Sequence, residues 1–135
     1  MSLVTKQAPH PELPATASLA AEGMDCYRLA LEFDTASSEL VSRAPAHIRS
    51  QFQRASLSVV LNIAEGAGRW MPLDKARFYA TARGSATECA AVLDVLRLRR
   101  LAPESKCREG RGQIVRIVQM LTRLEVVTRS RGDES

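Results

Sequence analysis

A chain of 135 residues with 45% apolar and only 4% aromatic side chains is long enough for one hydrophobic core and too short for two comfortable ones. A core of Leu, Val, Ile and Ala suits packed helices better than strands, which favour aromatic and β-branched residues. Three widely spaced cysteines and two histidines supply neither a disulfide framework nor a zinc pair, so no metal or cofactor is expected.

No apolar run is long enough to cross a bilayer and the opening residues do not read as a signal peptide, so the cytoplasm is the expected compartment, with no membrane partner. The net charge of +4 is unevenly spread. Residues 1–42 carry two basic and six acidic side chains, a net of −4, whereas residues 43–131 carry seventeen and seven, a net of +10.

Residues 1–22 hold Pro9, Pro11 and Pro14 among Ala, Ser and Thr without any period, and are expected to form an N-terminal arm. A first helix is predicted over residues 24–42, with Tyr27, Ala30, Leu31, Asp34 and Ser38 along one stripe, stopping before Pro45. A second follows over 46–66, where Ile48, Phe52, Ala55, Val59 and Ile63 recur at three- and four-residue steps. Leu57, Val60, Leu61 and Ala64 make a second apolar stripe on it, and such a helix must bury both sides.

The third helix is predicted over 74–101, with Asp74 as N-cap and Phe78, Ala82, Ser85, Cys89, Val92 and Leu96 facing inward. After Pro103 the fourth is clearest over 112–128, with Ile114, Ile117, Leu121, Leu124 and Val127 on one face. Short connections make sequential helices antiparallel, so the fold class is all-α: an up-down-up-down four-helix bundle over residues 23–129, with a polar tail at 130–135.

The stretch "NIAEGAGRW" at residues 62–70 invites a nucleotide-loop reading, which its context rejects. A dinucleotide fingerprint needs a strand before its glycines and a helix after them, and a P-loop needs Lys and Ser/Thr after the last glycine. Here a helix leads into Gly66, so the glycine is expected to end it in left-handed dihedrals. An antiparallel turn centred near Met71 sets Glu65 opposite Arg77, Ser58 opposite Gly84 and Arg54 opposite Glu88. Two inter-helix ion pairs are therefore expected. Gly84, which costs a helix interior roughly 1 kcal/mol relative to Ala, is expected to admit close approach of the second helix. A turn near Pro45 likewise brings Tyr27 toward Asn62.

Catalytic groupings are missing from the pattern. Neither Glu65 nor Glu88 has a histidine three residues on, as a bundle di-metal site requires, and no Ser/His/Asp or Cys/His set is evident. By contrast Arg97, Arg99, Arg100, Lys106, Arg108 and Arg111 crowd one interval, a composition suited to phosphate backbones.

The stretches "QFQRASLSVVLNIAEGAGRW" and "RFYATARGSATECAAVLDVL" resemble a bacterial four-helix-bundle family. It includes proteins encoded in intervening sequences of large-subunit ribosomal RNA genes and the accessory variability proteins of diversity-generating retroelements. Gln51, Arg54, Ala55, Ser58, Asn62, Ile63, Ala64, Glu65 and Gly66 match its first block, Ala82, Gly84, Ser85 and Glu88 its second, and Tyr27 and Ala30 its first helix. The resemblance implies an antiparallel bundle assembling into a ring of five, with no known catalysis. The retroelement members bind a reverse transcriptase and nucleic acid through a basic surface. The arm at the start of this chain lies outside that pattern.

The expected function is accordingly a non-enzymatic homo-oligomeric scaffold, a pentamer, binding RNA or DNA through the Arg/Lys cluster and a reverse transcriptase or another protein as a further partner. The alternative is a protein–protein adaptor with no nucleic-acid binding.

Overall fold

A computed structural model describes residues 17–133, with side chains from residue 25 onward. The expectations for residues 1–16 and for the last two residues lie outside that range. Four helices carry the chain: α1 Ala17–Leu40, α2 Ala46–Gly68, α3 Pro72–Leu98 and α4 Glu104–Asp133, with no strand among the described residues.

Each helix packs on two others, α1 and α3 both lying between α2 and α4, so the cross-section is a square of antiparallel neighbours. This is the up-down-up-down bundle. Its core runs from a Phe33–Phe52 edge-to-face pair, ring centres 5.7 Å apart, to the aliphatic layers of Leu93, Leu96, Ile114, Ile117, Leu121 and Leu124. No described helix is long and apolar enough to cross a membrane.

Proline sets most of the boundaries. Pro45 sits at the N-cap of α2, its carbonyl accepting from the Ile48 and Arg49 N–H groups at 3.1 and 3.0 Å. Pro72 opens α3, where its missing N–H would have had no helical partner. Asp74 therefore falls in the first turn and not at the cap. It pairs with Arg77 there, and that hydrogen bond leads the causes that hold its carboxyl below the usual range.

α4 begins eight residues earlier than the predicted 112, because Cys107 and Gly110 are buried against the core. It also runs through residues 130–133, and α1 starts within the predicted arm. The inward stripe of α1 is Cys26, Ala30, Phe33 and Ser37, continued by Val41 in the turn after it, which leaves Leu31 and Ser38 outside. On α3, Tyr79, Ala86 and Leu93 take the buried places expected for Phe78, Ser85 and Val92. On α2, Val60 belongs to the core, so the second apolar stripe narrows to Leu57, Leu61 and Ala64.

Candidate nucleic-acid interface

Antiparallel packing brings the α1–α2 and α3–α4 connections to the same end of the bundle. The α3–α4 turn closes on a Schellman pattern: the Leu101 N–H donates to the Leu96 carbonyl at 2.8 Å and the Arg100 N–H to the Arg97 carbonyl at 3.1 Å. Arg100 sits at the left-handed position of that motif with φ 58°, a place that favours glycine. An arginine there opposes its local backbone preference.

All six predicted cations are exposed at this end, but they divide into two sets. Three are neutralised: Lys106 meets Glu109 at 3.8 Å, Arg108 meets Glu104 at 2.8 Å and Arg111 meets Asp94 at 3.1 Å. Arg97, Arg99 and Arg100 form no ion pair among the described residues. Arg43, in the α1–α2 connection at the same end, is also exposed and unpaired among them. Sequence spacing missed it because it lies far along the chain; the antiparallel turn at Pro45 was the available signal. A cleft of about 310 Å³ beside it, between α1 and α4, is lined by Glu39 and Glu109 as well as Arg43 and Lys106. Its two carboxylates make the cleft poor anion-binding ground compared with the open turn.

The family-motif residues occupy the α2–α3 seam and its corner. The amide of Asn62 donates to the Ser58 carbonyl at 2.9 Å and to Ser58 Oγ at 3.1 Å, and the Ser58 and Ser85 hydroxyls share a hydrogen bond at 2.8 Å. Asn62 thus finds its partners one turn back on its own helix, and no hydrogen bond joins it to Tyr27 among the described residues. Tyr27 packs against the core. Glu88 accepts from Gln51, not from Arg54, which makes no ion pair among the described residues.

Glu65 pairs with Arg69 at 2.7 Å, and Arg69 reaches Asp74 at 3.4 Å, so Glu65 connects to Arg77 only through that chain. The Arg69 and Arg77 guanidiniums lie 4.7 and 5.0 Å from the centre of the Phe78 ring. The predicted register is right to within a turn, and both expected ion pairs are replaced by neighbours.

Two glycines depart from the roles expected of them. No described glycine has positive φ, and α2 continues through Gly66 to Gly68. What Gly66 provides is room: a Cβ there would come within 2.7 Å of Tyr79 Cε1 and 3.1 Å of Phe78 Cβ. Gly84, expected to admit α2, has nothing within 4 Å of its would-be Cβ.

The missed residue of most structural weight is Glu125, buried between Arg83 on α3 and Arg129 one turn further along α4, the latter at 3.0 Å. Its spacing to Arg129 was a visible signal.

Reactive chemistry finds little footing. No group of three or more His, Cys, Asp and Glu residues able to hold a metal occurs among the described residues. Burial pushes the Cys26 and Cys89 thiols up to about 12, and raises Cys107 against the opposing pull of nearby Arg97. Since the thiolate is the nucleophile, these cysteines are suppressed as reagents.

Residues 22–123 match the family described as 23S rRNA-intervening sequence protein. A search of curated proteins finds no match to the chain.

Proposed function

The chain belongs to the 23S rRNA-intervening sequence protein family, and from that premise we propose that it is a non-enzymatic cytoplasmic scaffold, pentameric, that binds RNA or DNA at the α3–α4 end. The observation that carries this reading is the trio Arg97, Arg99 and Arg100: exposed, without ion-pair partners among the described residues, and ending on an arginine where the backbone favours glycine. A backbone held against its preference at a charged, exposed turn is a mark of function over stability. Arg43 extends the same surface.

Assembly is supported by Leu57 and Leu61, both about half exposed on α2, and by Gly84 on α3, whose outward side no described residue fills. Five copies in a ring would repeat the arginine trio and multiply its reach for a long polyanion. A reverse transcriptase or another protein is the further partner this reading allows.

Phosphate contacts release counterions, so affinity for a nucleic-acid probe falls steeply with salt. Titrating RNA and DNA oligonucleotides at low and moderate salt tests the claim, with light scattering on the same samples to read the oligomer. Binding that is strong at low salt and lost as salt rises is expected from an assembled species. Absence of binding at low salt leaves the protein–protein adaptor; a monomer at micromolar concentration removes the ring.

A further inference from the structure

The opposite end of the bundle carries an apolar tip that nucleic-acid binding does not use. From the α2–α3 connection into the first turn of α3 the chain reads Trp70-Met71-Pro72-Leu73, and Trp70 is 93% exposed, Met71 67% and Leu73 53%. The backbone beneath them is firmly fixed. Lys75 Nζ donates to the Ala67 and Arg69 carbonyls at 3.0 and 2.8 Å, which caps the end of α2, and Arg69 is held by Glu65 and Asp74. Leu73 also leans on Gly132 in the last turn of α4, where a Cβ would stand 2.9 Å from Leu73 Cδ2. A rigid frame thus presents three adjacent large apolar side chains, the sort of patch that marks a docking site.

The position of the chain before α1 says what can cover it. Because α1 and α2 are antiparallel across the short connection at Pro45, Ala17 lies level with the α2–α3 connection. Sixteen residues precede Ala17, enough to span roughly 50 Å when extended, whereas neighbouring helix axes stand only about 8–10 Å apart. Those residues include Pro9, Pro11, Leu13 and Pro14. Proline-rich segments suit aromatic surfaces, since their fixed φ leaves little entropy to lose on binding. Glu12 among them matches Arg131, exposed at the same end and unpaired among the described residues. The family match begins at residue 22, so this segment lies outside the matched stretch.

We infer that Trp70, Met71 and Leu73 form the docking site for the proline-bearing segment at residues 9–14 of the same chain. Trp70 is the only tryptophan, so its fluorescence reports on the tip alone. In the full chain its emission is expected to be blue-shifted from that of N-acetyltryptophanamide and its quenching by acrylamide reduced. The full-length triple variant P11S/L13S/P14S, checked for unchanged helicity, is expected to return both to the values of the free amide.

Free-amide emission in the unsubstituted chain overturns the inference. So does shielding that survives the triple substitution, and a dilution series or added anionic phospholipid vesicles then show whether a second copy or a lipid surface covers the tip instead.

Discussion

Arg100 and the two contrasting glycines set the terms at the scale of single residues. An L-residue in left-handed dihedrals is disfavoured by about 1–2 kcal/mol, a strain glycine avoids at some expense in unfolded-state entropy. Arg100→Gly is therefore expected to stabilise the fold by up to about 1 kcal/mol, read as a raised Tm, while weakening nucleic-acid binding. Loss of stability would mean that the Arg100 side chain has a structural role. Gly66→Ala drives a Cβ into the buried Tyr79 ring, so its gain in helix propensity is outweighed and a net loss of about 1–3 kcal/mol is expected by chemical denaturation. Gly84→Ala meets no described residue and should stabilise the fold by about 0.5–1 kcal/mol. If the same change loosens the oligomer in light scattering, the space beside Gly84 belongs to a neighbouring copy.

Between helices, polar groups choose the pairing that the apolar layers permit. Glu125 joins α4 to α3 through Arg83, and is also held by Arg129 one turn along its own helix, in a mostly buried place. Glu125→Ala strands two guanidiniums and is expected to lower stability by about 1–3 kcal/mol; a double-mutant cycle with Arg83→Ala should show strong coupling. Additive losses would assign the effect to packing alone.

The helices themselves are legible from prolines and apolar spacing: Ile48, Phe52, Ala55, Val59 and Ile63 share one face by their spacing, and all five are buried. What spacing could not supply was phase where small residues are plentiful. On α3, alanine-rich sequence offers nearly equivalent stripes one residue apart, and the burial of Tyr79 in place of Phe78 is decided by the neighbouring helices. The early turns of α4 were missed because glycines and charges disguise a segment whose helicity comes from tertiary burial of Cys107 and Gly110, overriding local propensity. At the basic end, sequence showed the cluster but not its division. Asp94, Glu104 and Glu109 neutralise half of it from positions that only helical periodicity and the α3–α4 pairing bring within reach.

At the scale of the whole molecule, the two ends of the bundle have opposite characters. One carries arginines unpaired among the described residues around the Arg100 turn, the other the apolar Trp70 tip, and the half-exposed Leu57 and Leu61 lie on the side between them. In the proposed ring of parallel copies, one rim would repeat the Arg97, Arg99 and Arg100 turn and the other the Trp70 tip, with the α2 face consumed by assembly. Buried cysteines fit a body built for packing: Cys26, Cys89 and Cys107 should resist alkylation at mildly alkaline pH until the fold is melted. The most direct test of this arrangement is the salt dependence of oligonucleotide binding, comparing the unsubstituted chain with R97A/R99A/R100A and with K106A/R108A/R111A. Each lost phosphate contact lowers the log–log salt slope by about 0.7 for single strands or 0.9 for duplex DNA. The unpaired trio is expected to remove most of the slope and the paired trio much less; equal slopes in all three proteins, or no binding at low salt, would contradict it.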